Sequence, residues 1–171
     1  MKKTVVNFYG GPGTGKSTRA AALFCELKSQ GVDCELVTEY VKGWVWDHRT
    51  MIEGDQVLFC AKQSRAIRVL MGKVDVIITD SPVWLAEVYE TLYENSPKAC
   101  EAIAQKHDFI VDSCGYIQIN VLIDRNVPYR DNGRFESHEE ALRVDKRLEL
   151  RLKGMSYLKN PTTKEIIDSL C

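Results

Sequence analysis

The N-terminal part of the chain combines an apolar segment, a glycine-rich turn and a lysine–serine pair, and this combination restricts the folds that the chain can adopt. Thr4–Tyr9 is mostly apolar and starts with β-branched residues, which predicts a buried strand. The next eight residues, GGPGTGKS, match the pattern G-x-x-x-x-G-K-S/T in full. A helix is predicted from Ser17 to Gln30, because alanine and leucine favour helix and Gly31 can end it. The strand and the helix that this motif requires on either side are therefore both expected.

Each part of this loop has a physical role in holding phosphate. Glycines allow the backbone to turn its N–H groups inward as a nest for phosphate oxygens, and the positive end of the following helix adds to the attraction. Lys16 is expected to reach the β- and γ-phosphates, and Ser17 to ligate Mg²⁺. The sequence therefore predicts a nucleotide-binding loop formed by Gly10, Gly11, Pro12, Gly13, Thr14, Gly15, Lys16, Ser17 and Thr18.

The rest of the chain alternates between segments that predict strands and segments that predict helices. Val74–Asp80 is a nearly continuous apolar run, which is typical of a parallel strand covered on both faces. The residues Ser137–Glu140 form a capping box, so a helix is expected to start there and to run to Lys153. This alternation predicts one doubly wound α/β domain, residues 1–171, with ligands at the carboxyl ends of its strands. The other expected elements are strands at Cys34–Thr38, Tyr116–Ile123 and 155–159, helices at 52–72, 83–94 and 98–112, and a last helix with Pro161 in its first turn.

Asp80 closes the second strongly apolar strand and is the expected acidic partner of the glycine-rich loop. If that strand lies beside the first, its carboxylate points toward the bound metal ion or the water around it. Asp80 is therefore a candidate catalytic and metal-binding residue, together with Ser17 as a metal ligand. The alternative is a structural role, because Asp80 or Ser81 before Pro82 also suits the N-cap of a helix.

A basic segment between the fourth strand and the capped helix predicts a lid. The segment DRNVPYRDNGRF, Asp124–Phe135, contains Arg125, Arg130 and Arg134 and little apolar content. A mobile basic loop over a phosphate site excludes water and places guanidinium groups on the transferring phosphoryl group. The alternative is an exposed polar loop with solvated arginines. We favour a lid at about residues 125–136, because this basic loop occurs together with a phosphate loop. No NKxD or LSGGQ stretch occurs, and the chain is too short for a full AAA+ module with its helical lid domain, so a kinase is favoured over these other classes of P-loop protein.

Four stretches together, YGGPGTGKST, LVTEYVKGWVWD, VIITDSP and RNVPYRDNGRF, resemble the small, often phage-encoded P-loop kinases. These are grouped with nicotinamide riboside kinase-like and nucleoside or nucleotide kinase-like ATPases. The resemblance implies a P-loop NTPase fold with a five-stranded parallel sheet of order 2-3-1-4-5, helices on both faces, an arginine-rich lid, and ATP with Mg²⁺. One branch of the group phosphorylates 5-hydroxymethyluracil bases within phage DNA, and no motif in this chain separates that branch from the free-nucleoside branch.

The resemblance also implies where the acceptor is held. Related deoxynucleoside kinases place a glutamate at the end of the second strand as general base, which makes Glu39 a candidate, with Asp80 as its rival. Two tryptophans, Trp44 and Trp46, either stack on an acceptor base or pack within the protein. The stretch NPTTKE lies where related kinases hold the adenine edge. The expected catalytic residues are thus Lys16, Asp80, Glu39, Arg130 and Arg134.

The distribution of charge leaves the partner open. The formal net charge is −1, so the chain as a whole has no net electrostatic attraction to nucleic acid. It contains no run of about 18 apolar residues that would predict a membrane span. We expect a cytoplasmic protein, in the host cytoplasm if the chain is viral. Glu139, Arg143, Arg147 and Arg151 recur every fourth residue, so they form either a solvated helix face with one ion pair or a basic ridge for a nucleic-acid backbone.

These observations lead to one expected function and two alternatives. The first expectation is an ATP-dependent phosphotransferase that acts on a nucleoside- or nucleotide-type acceptor. The second is a kinase that modifies thymidine-derived bases in DNA. The third belongs to another class, a non-catalytic ATP-binding switch, which would not need an arginine lid.

Overall fold

The computed structural model describes residues 2–93, 96–113 and 115–170, and this part of the chain forms a parallel sheet between two layers of helices. The strands are β1 (Thr4–Tyr9), β2 (Cys34–Val37), β3 (Val76–Thr79), β4 (Ile117–Leu122) and β5 (Leu158–Lys159). The helices are α1 (Lys16–Ser29), α2 (Lys42–Trp46), α3 (Asp55–Arg68), α4 (Leu85–Tyr93), α5 (Pro97–Ser113), α6 (His138–Leu152) and α7 (Thr163–Asp168).

The sheet has five strands in the order β2-β3-β1-β4-β5, and all of its pairs are parallel. This confirms the expected fold class and strand order. β1 is central, with Asn7 in register with Thr79 of β3 and with Asn120 of β4. Because the carboxyl ends of parallel strands meet at one edge, the loop after β1 and the segments after β3 and β4 converge there.

The alternation of side chains along the strands explains the two helical layers. Val6 and Phe8 of β1 are buried on one face against α1 and α7. Val5 and Tyr9 point to the other face, where one core packs against α3 and α5 and a second packs against α4 and α6. All residues of β1 and β3 are buried, as expected for parallel strands covered on both sides.

Several boundaries differ from the expectation by a few residues. β2 ends at Val37, so Glu39 lies two residues beyond the strand rather than at its last position. The expected helix 83–94 is α4, and residue 94 lies outside the described residues. α2 was not expected from the sequence.

The prediction that Pro161 lies in the first turn of the last helix was wrong. Pro161 precedes the N-cap, which is Thr162, and Thr162 forms a capping box with Glu165. The capping box of Ser137 and Glu140 at the start of α6 is confirmed. In the described part of the chain, no helix has both the length and the apolar character needed to cross a membrane.

We expect Gly10→Ala to destabilise the protein, because Gly10 lies where β1 turns into the loop. A Cβ atom at Gly10 would lie 2.7 Å from the carbonyl oxygen of Ile123 and 2.5 Å from Oγ1 of Thr14, and φ is 153°. The expected loss in the free energy of unfolding, measured by urea denaturation, is about 1–3 kcal/mol.

The matched control is Gly43→Ala in α2, where an added Cβ would meet no described heavy atom within 4 Å. This variant should be as stable as the wild type or more stable by up to about 1 kcal/mol. Equal stability of Gly10→Ala and wild type would contradict the close approach at Gly10.

Candidate active site

The loop between β1 and α1 has the backbone geometry of a phosphate cradle. Gly13 and Gly15 have φ angles of 80° and 96°, which favour glycine over residues with a side chain. α1 begins at Lys16, and no side chain among the described residues caps its N-terminus. The first N–H groups of this helix therefore lack a side-chain acceptor, which is the arrangement that binds phosphate oxygens.

Lys16 crosses this loop, and its ammonium group lies near two carboxylates. Its Nζ atom donates a hydrogen bond to the carbonyl oxygen of Gly11 at 3.0 Å. Burial lowers the pKa of Lys16, and the negative charges of Glu39 and Asp80 act in the opposite direction. The structure thus brings three of the expected catalytic residues together. A compact cation at this position is suited to the terminal phosphates of a nucleotide.

Asp80 follows β3 directly and is buried beside the loop. Its side chain is 3% exposed, and its Oδ1 atom has no hydrogen-bond partner among the described residues. The alternative N-cap role is not what the structure shows, because α4 begins at Leu85, five positions after Asp80. A buried carboxylate oxygen without a partner carries a free-energy cost that a bound cation or its water would remove.

The side chains around Asp80 fit a magnesium ion that is held mainly by a nucleotide. Within the described ranges, no group of three or more His, Cys, Asp or Glu side chains is placed to hold a metal. Mg²⁺ in phosphate-transfer sites is bound by one or two protein oxygens, water and the phosphates themselves. The hydroxyl oxygen of Ser17 and the carboxylate oxygen of Asp80 that lacks a partner are metal ligands of that kind.

Two of the three lid arginines reach the phosphate loop. A Cβ atom at Gly13 would lie 3.1 Å from Nη1 of Arg134 and 3.3 Å from Nη1 of Arg125. Both guanidinium groups also lie over the ring of Tyr129, at 5.5 and 5.4 Å from its centre. The phosphate loop is therefore covered by two cations that rest on one aromatic ring.

The expectation that Arg130 would be one of the two leading arginines needs correction. Arg130 is exposed, and its carbonyl oxygen accepts a hydrogen bond from Nε of Arg134 at 2.7 Å. Its backbone therefore orients Arg134, while Arg125 takes the second position over the loop. Three arginines on one irregular segment have no periodicity, so the sequence could not tell which of them point inward.

Sequence reasoning missed Asp145, which joins the phosphate loop to Arg125. Its Oδ1 atom accepts a hydrogen bond from the backbone N–H of Gly11 at 3.0 Å. Its Oδ2 atom accepts one from Nε of Arg125 at 2.8 Å. A signal was present: Asp145 follows Ala141 by four positions, so a carboxylate borders the buried face of α6.

A cavity of about 230 Å³ opens directly from the phosphate loop toward α3 and α4. Its wall combines carboxylates, aromatic rings and an amide: Glu39, Tyr40, Gln56, Phe59, Tyr89 and Glu136. Gln56 is only 7% exposed, so its amide is directed to the interior and not to solvent. Large aromatic faces with a few polar groups are typical of a site for a flat organic ligand.

Two carboxylates of this cavity resist ionisation. Burial raises the pKa of Glu39; Lys16 opposes this, and Asp80 raises it further. Burial also raises the pKa of Glu136 in the lid segment, and the negative charge of Glu39 adds to that effect. Glu39 is therefore close enough to Lys16 of the phosphate loop to feel its charge, and it also lines the cavity.

Neither tryptophan is among the described residues that line the cavity. Trp44 packs edge-on against Phe59, with ring centres 4.9 Å apart, and the guanidinium of Arg49 lies 5.2 Å from the Trp44 ring. Trp46 packs on the lid, since a Cβ at Gly133 would lie 2.6 Å from its ring. Packing is therefore what the structure shows for Trp44, whereas Trp46 touches the lid and is 56% exposed.

Two arginines of α6 form ion pairs. Arg143 pairs with Glu139 at 2.9 Å on the exposed surface. Arg151 pairs with Glu87 of α4 at 2.7 Å and lies 3.6 Å from the ring centre of Trp84. The alternative of a helix face with one surface ion pair therefore describes Arg143, and Arg151 faces α4.

The segment NPTTKE, expected near the adenine edge, is fixed at the same end of the sheet. Asn160 accepts a hydrogen bond from the backbone N–H of Asp124 at 2.8 Å and donates one to the Asp124 carboxylate at 2.9 Å. Arg19 of α1 donates to the carbonyl oxygen of Pro161 at 3.2 Å. Its contact with adenine stays a prediction.

Comparison with known proteins identifies the family. A model of an AAA domain family, AAA_28, matches residues 5–164, which is most of the chain. The chain belongs to this AAA domain family. The match covers the sheet with its phosphate loop, and no helical domain that would complete an AAA+ module follows in the described residues. No curated protein sequence matches the chain.

Solved structures with this fold include two enzymes of nucleotide metabolism. Thymidylate kinase from Ehrlichia chaffeensis is 16% identical and superposes with a TM-score of 0.69, with 100% of each chain covered. Deoxyadenosine kinase from M. mycoides, whose structure contains dCMP and a flexible dCDP as products, is 15% identical, with a TM-score of 0.63 and 98% of each chain covered. At this level of identity the likeness shows the fold alone.

The raised pKa of Glu39 predicts that the protein without ligand loses stability as the pH rises. The folded state binds the proton more tightly than the unfolded state, so stabilisation is complete below the unfolded pKa and is lost through the folded pKa. We expect the free energy of unfolding to fall as the pH rises above about 4.5, the ordinary pKa of a glutamate, and through the raised pKa of Glu39.

Urea denaturation at several pH values measures this slope. Glu39→Gln should flatten the slope and be more stable than the wild type at pH 7. Glu101→Gln, at an exposed position of α5, is the control and should keep the wild-type slope. The same slope in Glu39→Gln and wild type would contradict the electrostatic account of Glu39.

Proposed function

We propose that this protein is an ATP-dependent phosphotransferase that moves the γ-phosphate of ATP to a hydroxyl group of a nucleoside- or nucleotide-type acceptor. The observation that carries the proposal is the continuity between the phosphate loop and the aromatic cavity, with Glu39 between them. A protein that only binds ATP needs the loop but not an adjoining cavity with a carboxylate. The fold similarity to a thymidylate kinase and a deoxyadenosine kinase supports this choice.

The donor side has a distinct task for each group. The N–H groups of the loop and the ammonium of Lys16 bind the phosphates, and Arg134 and Arg125 face the charge that develops on the transferring group. Ser17 and Asp80 would hold Mg²⁺, which neutralises phosphate charge when it is bound. The covering arginines also exclude water, which limits hydrolysis of ATP.

Glu39 is the better candidate for the general base. It lines the cavity, whereas among the described wall residues the segment after β3 contributes Ser81 and Pro82 and not Asp80. Ionised Glu39 takes the proton of the acceptor hydroxyl while that oxygen forms a bond to the γ-phosphorus, and the bond to the β,γ-bridging oxygen breaks to release ADP. Asp80 then serves the metal side alone.

The cavity wall supports an acceptor with a flat heterocycle. The rings of Tyr40, Phe59 and Tyr89 provide apolar faces, and the amide of Gln56 provides both a donor and an acceptor. The relatives described above act on thymidylate or carry deoxycytidine nucleotides, which are ligands of this kind. Arg143 and Arg151 of α6 are paired with Glu139 and Glu87, so neither of them is a free cation that would favour the DNA-base alternative.

Transfer of label from γ-³²P-ATP tests the proposal and identifies the acceptor. The panel contains free nucleosides, nucleotides, nicotinamide riboside, and DNA with 5-hydroxymethyluracil. We expect label on a small acceptor. Label on DNA alone would establish the DNA-base kinase instead, and ATP turnover that no acceptor stimulates would favour the switch.

We expect Lys16→Ala to lower kcat/KM for ATP by at least about a hundredfold, which corresponds to ~3 kcal/mol of transition-state stabilisation. The reason is the loss of the cation that contacts the terminal phosphates. Lys28→Ala, at the exposed end of α1, is the matched control and should keep wild-type kinetics. Near-normal turnover in Lys16→Ala would rule out the assigned role of the loop.

Glu39→Gln and Asp80→Asn should each lose activity, but for different reasons. Without its base, Glu39→Gln should have kcat lowered about a hundredfold and an unchanged affinity for ATP. The wild-type kcat/KM for the acceptor should rise with pH through the raised pKa of Glu39 and then level off, and the variant should lose this rise. Asp80→Asn should instead require more Mg²⁺ for half-maximal activity. A wild-type pH profile in Glu39→Gln would assign the base elsewhere.

A further inference from the structure

Arg125 differs from the other lid arginines because it is anchored outside the lid. Its Nε atom donates to Asp145 of α6 at 2.8 Å, and its side chain is only 11% exposed. Arg134 is oriented by the lid itself, through the carbonyl oxygen of Arg130. One guanidinium over the loop is therefore held by the lid segment itself, while the other is tied to α6.

The remaining donors of Arg125 are buried, and one of them lies beside the loop. Neither Nη1 nor Nη2 has a hydrogen-bond partner among the described residues, and both are inaccessible to solvent. Nη1 lies 3.3 Å from the position that a Cβ of Gly13 would occupy. Leaving charged donors buried and unpaired is unfavourable, so this geometry is suited to an anion that binds at Gly13 and accepts from Nη1.

Asp145 fixes this geometry from both sides. One oxygen holds the N–H of Gly11 at 3.0 Å, and the other holds Arg125. The contact is close, because a Cβ added at Gly11 would lie 2.1 Å from Oδ1 of Asp145. The carboxylate therefore sets the distance between Arg125 and the loop, and it is the ionised partner that Arg125 has among the described residues.

We propose that Asp145 is a positioning residue that holds Arg125 as a preformed clamp for the polyphosphate of the donor nucleotide. The inference rests on the proposed function for the identity of the ligand. In this arrangement the phosphates bind against a guanidinium that is already oriented, so Arg125 loses little conformational freedom on binding. Arg134 adds its charge when the lid covers the loop.

A double-mutant cycle with inorganic tripolyphosphate as the probe tests the proposal. We expect Asp145→Asn and Arg125→Ala each to weaken tripolyphosphate binding by about ten- to a hundredfold in calorimetric titrations. Because Asp145 acts through Arg125, Asp145→Asn should have little further effect in the Arg125→Ala background. Asp168→Asn, an exposed carboxylate of α7, is the control and should bind as the wild type does.

Two results would overturn the proposal. The first is unchanged tripolyphosphate binding in Asp145→Asn. The second is that Asp145→Asn weakens binding equally in the wild type and in the Arg125→Ala variant, which would mean that Asp145 acts on the loop alone. If Asp145→Asn does not fold, Arg125→Lys decides, because lysine keeps the charge but lacks the planar fork in which Nε donates to Asp145 while both Nη atoms stay available to phosphate. It should also lose at least about tenfold in affinity, and wild-type affinity would overturn the proposal.

The test separates this inference from the proposed function. Tripolyphosphate binding requires neither an acceptor nor turnover, so equal affinities in wild type and variants reject only the clamp. Absence of tripolyphosphate and ATP binding in the wild type would reject the proposed function itself. In steady-state assays, Asp145→Asn should change KM for ATP and kcat but leave KM for the acceptor as in the wild type.

Discussion

The site depends on the parallel pairing of β1 with β3 on one side and with β4 on the other. This pairing brings three chain segments to one edge of the sheet: the phosphate loop after β1, Asp80 after β3 and the lid after β4. None of these segments makes a site alone. The loop supplies N–H groups, Asp80 supplies an oxygen, and the lid supplies cations. The strand order therefore determines which side chains and backbone groups surround the phosphate loop.

The buried charged groups at this edge of the sheet lie near groups of opposite charge. Lys16 lies near Glu39 and Asp80, and Arg125 pairs with Asp145, so the cost of burying each group is offset in part by an opposite charge. The offset is incomplete, since Asp80 and Arg125 each keep polar atoms without partners among the described residues. Under the proposed function, a nucleotide with its metal ion would supply the missing partners, with phosphate oxygens for Arg125 and a cation for Asp80. The site is thus organised before ligand binds.

The sequence predicted the local parts of this site and not those that depend on packing. The loop could be predicted because a short pattern carries both its backbone geometry and its chemistry, and Asp80 could be predicted because it ends an apolar strand. Arg125 and Asp145 were not placed, since their contact requires α6 to lie against the loop, and nothing near Arg125 in the chain reports this. The tryptophans show the same limit: aromatic spacing in a short segment does not tell whether a ring faces a cavity, as Tyr40 does, or a lid, as Trp46 does.

The central claim is that donor phosphate and acceptor hydroxyl meet directly, between Lys16 and Glu39. The stereochemical course of transfer from ATP with a chiral, isotopically labelled γ-phosphate tests it most directly. A single in-line displacement inverts the configuration at phosphorus. Inversion in the phosphorylated product is the result that this account predicts. Retention would contradict this claim, because retention requires two successive displacements through a phosphorylated protein intermediate. The donor phosphate and the acceptor hydroxyl would then never react with each other directly.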